Sequence, residues 1–318
     1  RTILGTIRDF FWARIDRSLI VISKLEGGKM RIKSTGILRN VVLSVFVMLY
    51  SSVTLYAETP AEKGRKIMEQ IDALPRMEKM IATSTLDIFD TQGKKLFSKK
   101  SRSATFNVNF RDVDNRSSRM ISYFYAPADD KGNGALVIEN KGEDDDQWIY
   151  LKGLRKPKRV IGSDKSSSYM GSDFSNGDVG SQDIDDFNYK WLAVEKVSYK
   201  SKGVPCEKIE AEFKDKQKQE DYGYSKSTLW VHPKSGLTFK MDLFNMNGQL
   251  YKQARLISFL IANNEDGKRV YIPTSIEMEN VIKGTKTVMK LADIKTGNKA
   301  SKIKPSIYKT DYLTRKWW

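Results

Sequence analysis

The C-terminal half of the chain is divided by short turn signals at 233–236 (PKSG), 245–248 (NMNG), 264–267 (NEDG) and 283–284 (KG), with alternating apolar and polar residues between them. Connections this short join antiparallel neighbours, and a two-residue period turns one face of each strand inward. The spacing predicts strands over 207–213, 227–231, 238–244, 249–259, 271–281 and 287–294. The same alternation runs earlier through 83–90, 94–97, 104–110, 119–125, 135–139 and 148–151. Residues 189–194 read either as a helical turn or as a strand edge. Ahead of all these, Thr59-Pro60-Ala61-Glu62 is a capping box with Pro at the first helical position. Ile67, Met68, Ile71 and Leu74 follow at helical spacing until Pro75 stops the run. The expected fold is mainly β with one N-terminal helix. A single strongly curved antiparallel sheet, an incomplete β-barrel, holds the helix on its concave side, and such a sheet can leave a lumen.

Residues 58–318 carry this pattern as a single domain, and the segment before them reads differently. From Met30, three basic residues (Arg31, Lys33, Arg39) precede a charge-free run over 41–57 that ends in Ala57 before polar Glu58 and Thr59. That order predicts a secretory signal over 30–57, cleaved after Ala57. The competing reading is an uncleaved anchor, for which the apolar run is short against the roughly 20 residues of a spanning helix. Residues 1–29 read as an over-extended start outside the mature protein. Their alternative is an amphipathic segment that lays Phe10, Phe11, Trp12 and Ile15 on a membrane surface. The segment 1–57 holds nine of the 55 Lys and Arg and three of the 39 Asp and Glu, leaving 46 basic and 36 acidic residues, a net +10. In an exported protein that balance points to anionic headgroups or an acidic partner rather than to nucleic acid.

Catalytic and metal chemistry have little to work with. The single His, His232, precedes Pro233 in a turn, and the single Cys, Cys206, follows Pro205 at a strand start. These supply no zinc ligand set, and there is no GxSxG nucleophile elbow. The carboxylates at 143–146 lack calcium-ligand spacing and read as a solvated loop, as do Asp183, Asp185 and Asp186. The expectation is no enzyme, no cofactor and no metal. What remains is apolar surface. Phe106, Val108 and Phe110 share one strand face; so do Phe239, Met241 and Leu243, then Ile276 with Met278 and Met289 with Leu291. With Ile67 and Ile71 of the helix they are the candidate lining of a lumen. Met suits such a wall because it repacks around varied shapes. A basic ribbon, Lys152, Arg155, Lys156, Lys158 and Arg159 around Pro157, is the candidate contact for a partner or headgroup. The alternative for the ribbon is neutralisation by the acidic loop beside it.

The stretch QWIYLKGLRKPKRVIGSDK (147–165) with YMGSDFSNGDV (169–179) resembles the signature of the periplasmic outer membrane lipoprotein-sorting family, part of the LolA-like superfamily. That signature reads W-x-Y-L-P-x-x-R…R-I…F-M-G-S-D-F. Here Lys152 stands where Pro is usual and Tyr169 where Phe is usual. APADDKGNGALVIENKG (126–142), VPCEKIEA (204–211), LWVHPKSGLTFKMDLFNMNGQLYK (229–252) and DYLTR (311–315) match in the same order, so the resemblance runs from about residue 60 to the end. Its motif loop is Gly171, Ser172, Asp173 and Phe174. The resemblance implies the curved sheet, and it favours a periplasmic carrier that takes acyl chains of lipoproteins or other lipids into an apolar cavity for transport to the outer membrane. An inner-membrane transporter, an outer-membrane acceptor and transient membrane-surface contact are the partner expectations. The competing function is a non-catalytic module that docks an envelope transporter or sensor and holds no ligand.

Overall fold

A computed structural model describes residues 58–180 and 182–318; the expected start and signal lie outside the described residues. Helix α1 (Pro60–Asp72) begins where the capping box places it. The Glu62 backbone N–H donates to Thr59 Oγ1 at 3.2 Å, and the Thr59 N–H donates back to the Glu62 carboxylate at 2.8 Å. The strands are β1 (Lys79–Phe89), β2 (Lys95–Val108), β3 (Ser117–Ala126), β4 (Gly134–Ile138), β5 (Asp146–Tyr150), β6 (Pro157–Arg159), β7 (Phe187–Tyr199), β8 (Lys202–Phe213), β9 (Lys226–His232), β10 (Leu237–Phe244), β11 (Leu250–Asn263), β12 (Arg269–Asn280) and β13 (Thr285–Thr296).

All 13 belong to one open antiparallel sheet, in the order β6-β5-β4-β3-β2-β1-β13-β12-β11-β10-β9-β8-β7. Two meanders, β1–β6 and β7–β13, are thus joined through the β1–β13 pair, and β6 and β7 are its edges. One edge is blunted in sequence, since β6 is three residues long and begins with Pro157, which donates nothing to a ladder. The single-helix expectation is corrected. Two further short helices, α2 (Asn176–Val179) and α3 (Lys216–Tyr222), lie in connections where polar residues masked them. Residues 189–194 are strand, within β7. The expected segments 94–97 and 104–110 fuse into β2, because the polar run between them still pairs with β1 and β3 on both sides.

Both faces of the β1–β6 half are covered, as adjacent residues on one strand reveal. Ala135 and Ile149 enter the main core, while their neighbours Leu136, Trp148 and Tyr150 enter a second cluster. The C-terminal segment after β13 covers that second face with Ala300, Ile303, Ile307, Tyr308 and Leu313. The main core takes Ile67 of α1, Leu86, Phe124, Ile209, Val231, Leu243, Ala254 and Met278, with Met68 and Ile71 packed against it.

Helix α1 reaches the sheet through Gly64. A Cβ there would stand 2.9 Å from the Trp191 backbone nitrogen and 3.1 Å from the Lys190 backbone. Gly64→Ala gains about 1 kcal/mol of helix propensity, but it drives a methyl into backbone that has no rotamer to move, at about 1–3 kcal/mol. A net loss of about 1 kcal/mol in urea unfolding is expected, with Gly64→Leu worse. A stabilised Gly64→Ala would show that α1 sits farther from β7.

Candidate functional site

After β6 the chain leaves the sheet edge and runs as a strap, 160–186, across the main-core face before returning as β7. Val160, Tyr169, Met170 and Phe174 hold it there as buried members of that core. Two carboxylates fasten it. Asp173 accepts from Thr285 Oγ1 at 2.6 Å and from Thr287 Oγ1 at 2.7 Å, and the Asp173 N–H donates to Thr287 Oγ1 at 2.9 Å. Asp178 caps the Ser175 N–H at 2.7 Å and accepts from Lys252 Nζ at 2.9 Å, with both side chains of this ion pair 4% exposed. Every residue of the motif loop therefore fastens the strap. Gly171 turns it in the left-handed region at φ 76°, Ser172 donates to the Tyr169 carbonyl at 2.6 Å, Asp173 anchors it to β13, and Phe174 is buried.

Under the strap's last part lies a cavity of about 240 Å³, walled mainly by Met68 of α1, Ile184, Phe187, Leu229, Met241 and Leu243, with Asp178, Gln182, Tyr189 and Tyr224 as polar members of its lining. Burial raises the Tyr189 and Tyr224 phenols far above their ordinary range, so both stay neutral. Gln182 donates to the Tyr224 hydroxyl at 2.7 Å. A second cavity of about 360 Å³ opens between the strap and the β5–β6 connection, against Leu151, Leu154, Met170 and Lys99.

Of the twelve lining residues read from the sequence, Met241 and Leu243 border the first cavity. Ile67 and Met278 are in the core on the same face, Ile71, Ile276 and Met289 pack against it, and half-buried Leu291 lies two residues beyond Met289 on β13. The remaining four lie elsewhere. Phe106 belongs to the opposite face, stacked on Tyr308 at 6.2 Å, because the C-terminal segment supplies that face with its own apolar cover. Val108 and Phe110 lie at the β2–β3 connection beside an open hollow of about 700 Å³, with Phe110 under the Arg111 guanidinium at 4.3 Å. Phe239 leaves the alternation of Met241 and Leu243 because the β9–β10 register shifts between Thr238 and Lys240. It joins Tyr199, Phe259 and Leu256 in a separate cluster. Sequence reasoning missed Phe187, Tyr189 and Leu229 as wall residues, although an i, i+2 aromatic pair ahead of a strand is a usable signal.

The ribbon is divided. Lys158 pairs with Asp164 at 2.7 Å and Arg159 with Asp146 at 2.5 Å, whereas Lys152, Arg155 and Lys156 are exposed and have no ion pair among the described residues. Asp144 of the acidic loop is instead held below its usual range, against burial, by Lys165 and Lys218. Burial pushes the Cys206 thiol up to about 11, and His232 Nδ1 lies 2.9 Å from Ser235 Oγ within its turn. No group of three or more potential metal ligands occurs among the described residues. No helix among them is long and apolar enough to cross a membrane.

A family model described as an uncharacterized protein matches residues 116–315. The chain belongs to that family. Its fold is LolA-like. A DUF1329 family protein from Desulfovibrio piger is 22% identical over 80% of this chain and 99% of its own, with a TM-score of 0.68. A domain from Vibrio parahaemolyticus assigned to outer membrane lipoprotein sorting is 22% identical over 80% and 100%, with a TM-score of 0.67. A LolA superfamily protein from Nitrosomonas europaea is 19% identical over 78% and 98%, with a TM-score of 0.54. No curated protein matches the chain. The LolA-like likeness accounts for the open sheet.

Proposed function

We propose that this chain is a periplasmic carrier that takes acyl chains of a lipoprotein or another lipid between its sheet, α1 and the strap, and delivers them toward the outer membrane. The observation that carries this reading is the apolar cavity walled by Met68, Ile184, Phe187, Leu229, Met241 and Leu243 within a LolA-like fold. Acyl chains need burial and no catalytic group. Each methylene removed from water contributes about 0.8 kcal/mol, so a 16-carbon chain offers about 12 kcal/mol before the cost of ordering it. At about 240 Å³ the cavity falls just below the roughly 300–1,000 Å³ of common ligand sites. Uptake of a full chain thus requires the strap to shift and Met68 and Met241 to repack, which their unbranched side chains permit. The exposed Lys152, Arg155 and Lys156 suit anionic headgroups, and an inner-membrane donor and an outer-membrane acceptor complete the route. Export through the signal-like segment 30–57, with maturation at Glu58, belongs to the same reading.

Protein purified from its native envelope without added detergent provides the test. Its N-terminus should read from Glu58, and mass spectrometry of an organic extract should return acylated molecules in about equimolar amount. An N-terminus upstream of Glu58 contradicts export by cleavage. A lipid-free extract contradicts the carrier and favours a docking module.

A further inference from the structure

The β8–β9 connection, 214–225, reaches the 139–145 connection, where Lys218 pairs with Asp144 at 3.3 Å, but strand direction places 90–94, 127–133, 151–156, 245–249 and 281–284 together at one end of the sheet. Exposed large apolar side chains concentrate there. Leu96 and Phe97 follow the β1–β2 turn, Leu151 and Leu154 lie in the β5–β6 turn, Met246 in the β10–β11 turn, and Val281 and Ile282 in the β12–β13 turn. The connections at the opposite end, 109–116, 139–145, 200–201, 233–236 and 264–268, expose Val113, and only Ile161 after β6 and Ile261 near the end of β11 flank them among the described residues. Charge follows the same axis. The turns 151–156 and 281–284 hold Lys152, Arg155, Lys156 and Lys283 with no carboxylate, whereas 139–145 opposite holds Glu139, Glu143, Asp144 and Asp145 against Lys141 alone.

Two of these tips form one continuous surface. A Cβ on Gly284 would stand 3.5 Å from Thr91, and Lys95 and Lys286 lie 5.8 and 5.6 Å from the same Phe89 ring. Phe97 is 55% and Ile282 59% exposed at this surface, with Lys94 and Lys283 beside them free of ion pairs among the described residues. Single apolar side chains interleaved with long basic ones on several turn tips are poor material for a protein groove. They match an interface in which apolar tips enter the acyl boundary and lysines reach phosphates.

We propose that the molecule stands on an anionic phospholipid bilayer by this end, with Leu96, Phe97, Val281 and Ile282 in the interface and Lys94, Lys152, Arg155, Lys156 and Lys283 on the headgroups. This surface is separate from the cavity, and the contact stands whether or not the cavity holds an acyl chain.

Flotation with phosphatidylcholine vesicles, with and without phosphatidylglycerol, tests it on the full protein. Wild type should bind the anionic vesicles, less so as salt rises, and the neutral ones much more weakly. Phe97→Ser with Ile282→Ser should lose at least tenfold in affinity at an unchanged melting temperature. Ile257→Ser with Ile261→Ser, 45% and 53% exposed on β11 away from these tips, should bind as wild type. Met241→Glu should also bind vesicles normally, and failed acyl uptake by wild type with retained flotation would discredit the carrier and leave this contact standing. The proposal is overturned if wild type ignores anionic vesicles, if the tip variant floats as well as wild type, or if the β11 variant loses as much.

Discussion

Asp178→Ala is expected to lower the free energy of unfolding by about 3–5 kcal/mol, a large share of the roughly 5–15 kcal/mol that holds a domain together. The carboxylate it removes accepts from Lys252 Nζ in a pair that is 4% exposed on both sides. The Lys252 ammonium would remain buried, with no other carboxylate paired to it among the described residues. The strap would also lose the cap on Ser175, which accounts for about another 1 kcal/mol. Asp178→Leu combined with Lys252→Met should recover most of the loss, since an apolar pair of similar volume avoids desolvating two charges. Urea midpoints of wild type, single and double variants separate these cases. A single-variant loss below about 1 kcal/mol would place Lys252 in contact with water and the strap in looser attachment.

The fold was legible where turn chemistry was explicit. Gly236, Gly248, Gly267 and Gly284 all take positive φ at the turns that their motifs mark. The β7–β8 hairpin was not legible, because Lys200 and Ser201 adopt φ 48° and 64° without a glycine or asparagine to announce the turn. That silence is why 189–194 reads ambiguously, although β7 alternates along its length. The candidate lining was half legible for a related reason. Alternation shows which residues share a face, but it cannot show that the C-terminal segment covers the Phe106 face as well, or that a register shift removes Phe239 from the Met241 row. The motif loop was found as a signature. Its role as a fastening emerges only from Asp173 meeting Thr285 and Thr287, more than a hundred residues away in the chain.

Met241→Glu should abolish acyl uptake at small cost to folding. Met241 is half-buried at the wall of a cavity that also has polar lining, Gln182 and Tyr224 among it, so a glutamate there can keep its carboxylate in the cavity rather than in the packed core. A bound acyl chain would occupy that same space and strip the carboxylate of water, which disfavours binding strongly. Met278→Glu gives the contrast. Met278 is 1% exposed in the core and lines neither of the two cavities under the strap, and a glutamate there should unfold the protein. The decisive measurement is an equilibrium titration of wild type and Met241→Glu with a fluorescent 16-carbon fatty acid below its aggregation threshold, with urea midpoints measured on both proteins. The carrier account predicts saturable one-to-one binding by wild type, weakened at least tenfold in Met241→Glu, with the midpoint nearly unchanged. Absence of saturable binding by wild type, or equal binding by a folded Met241→Glu, would contradict it.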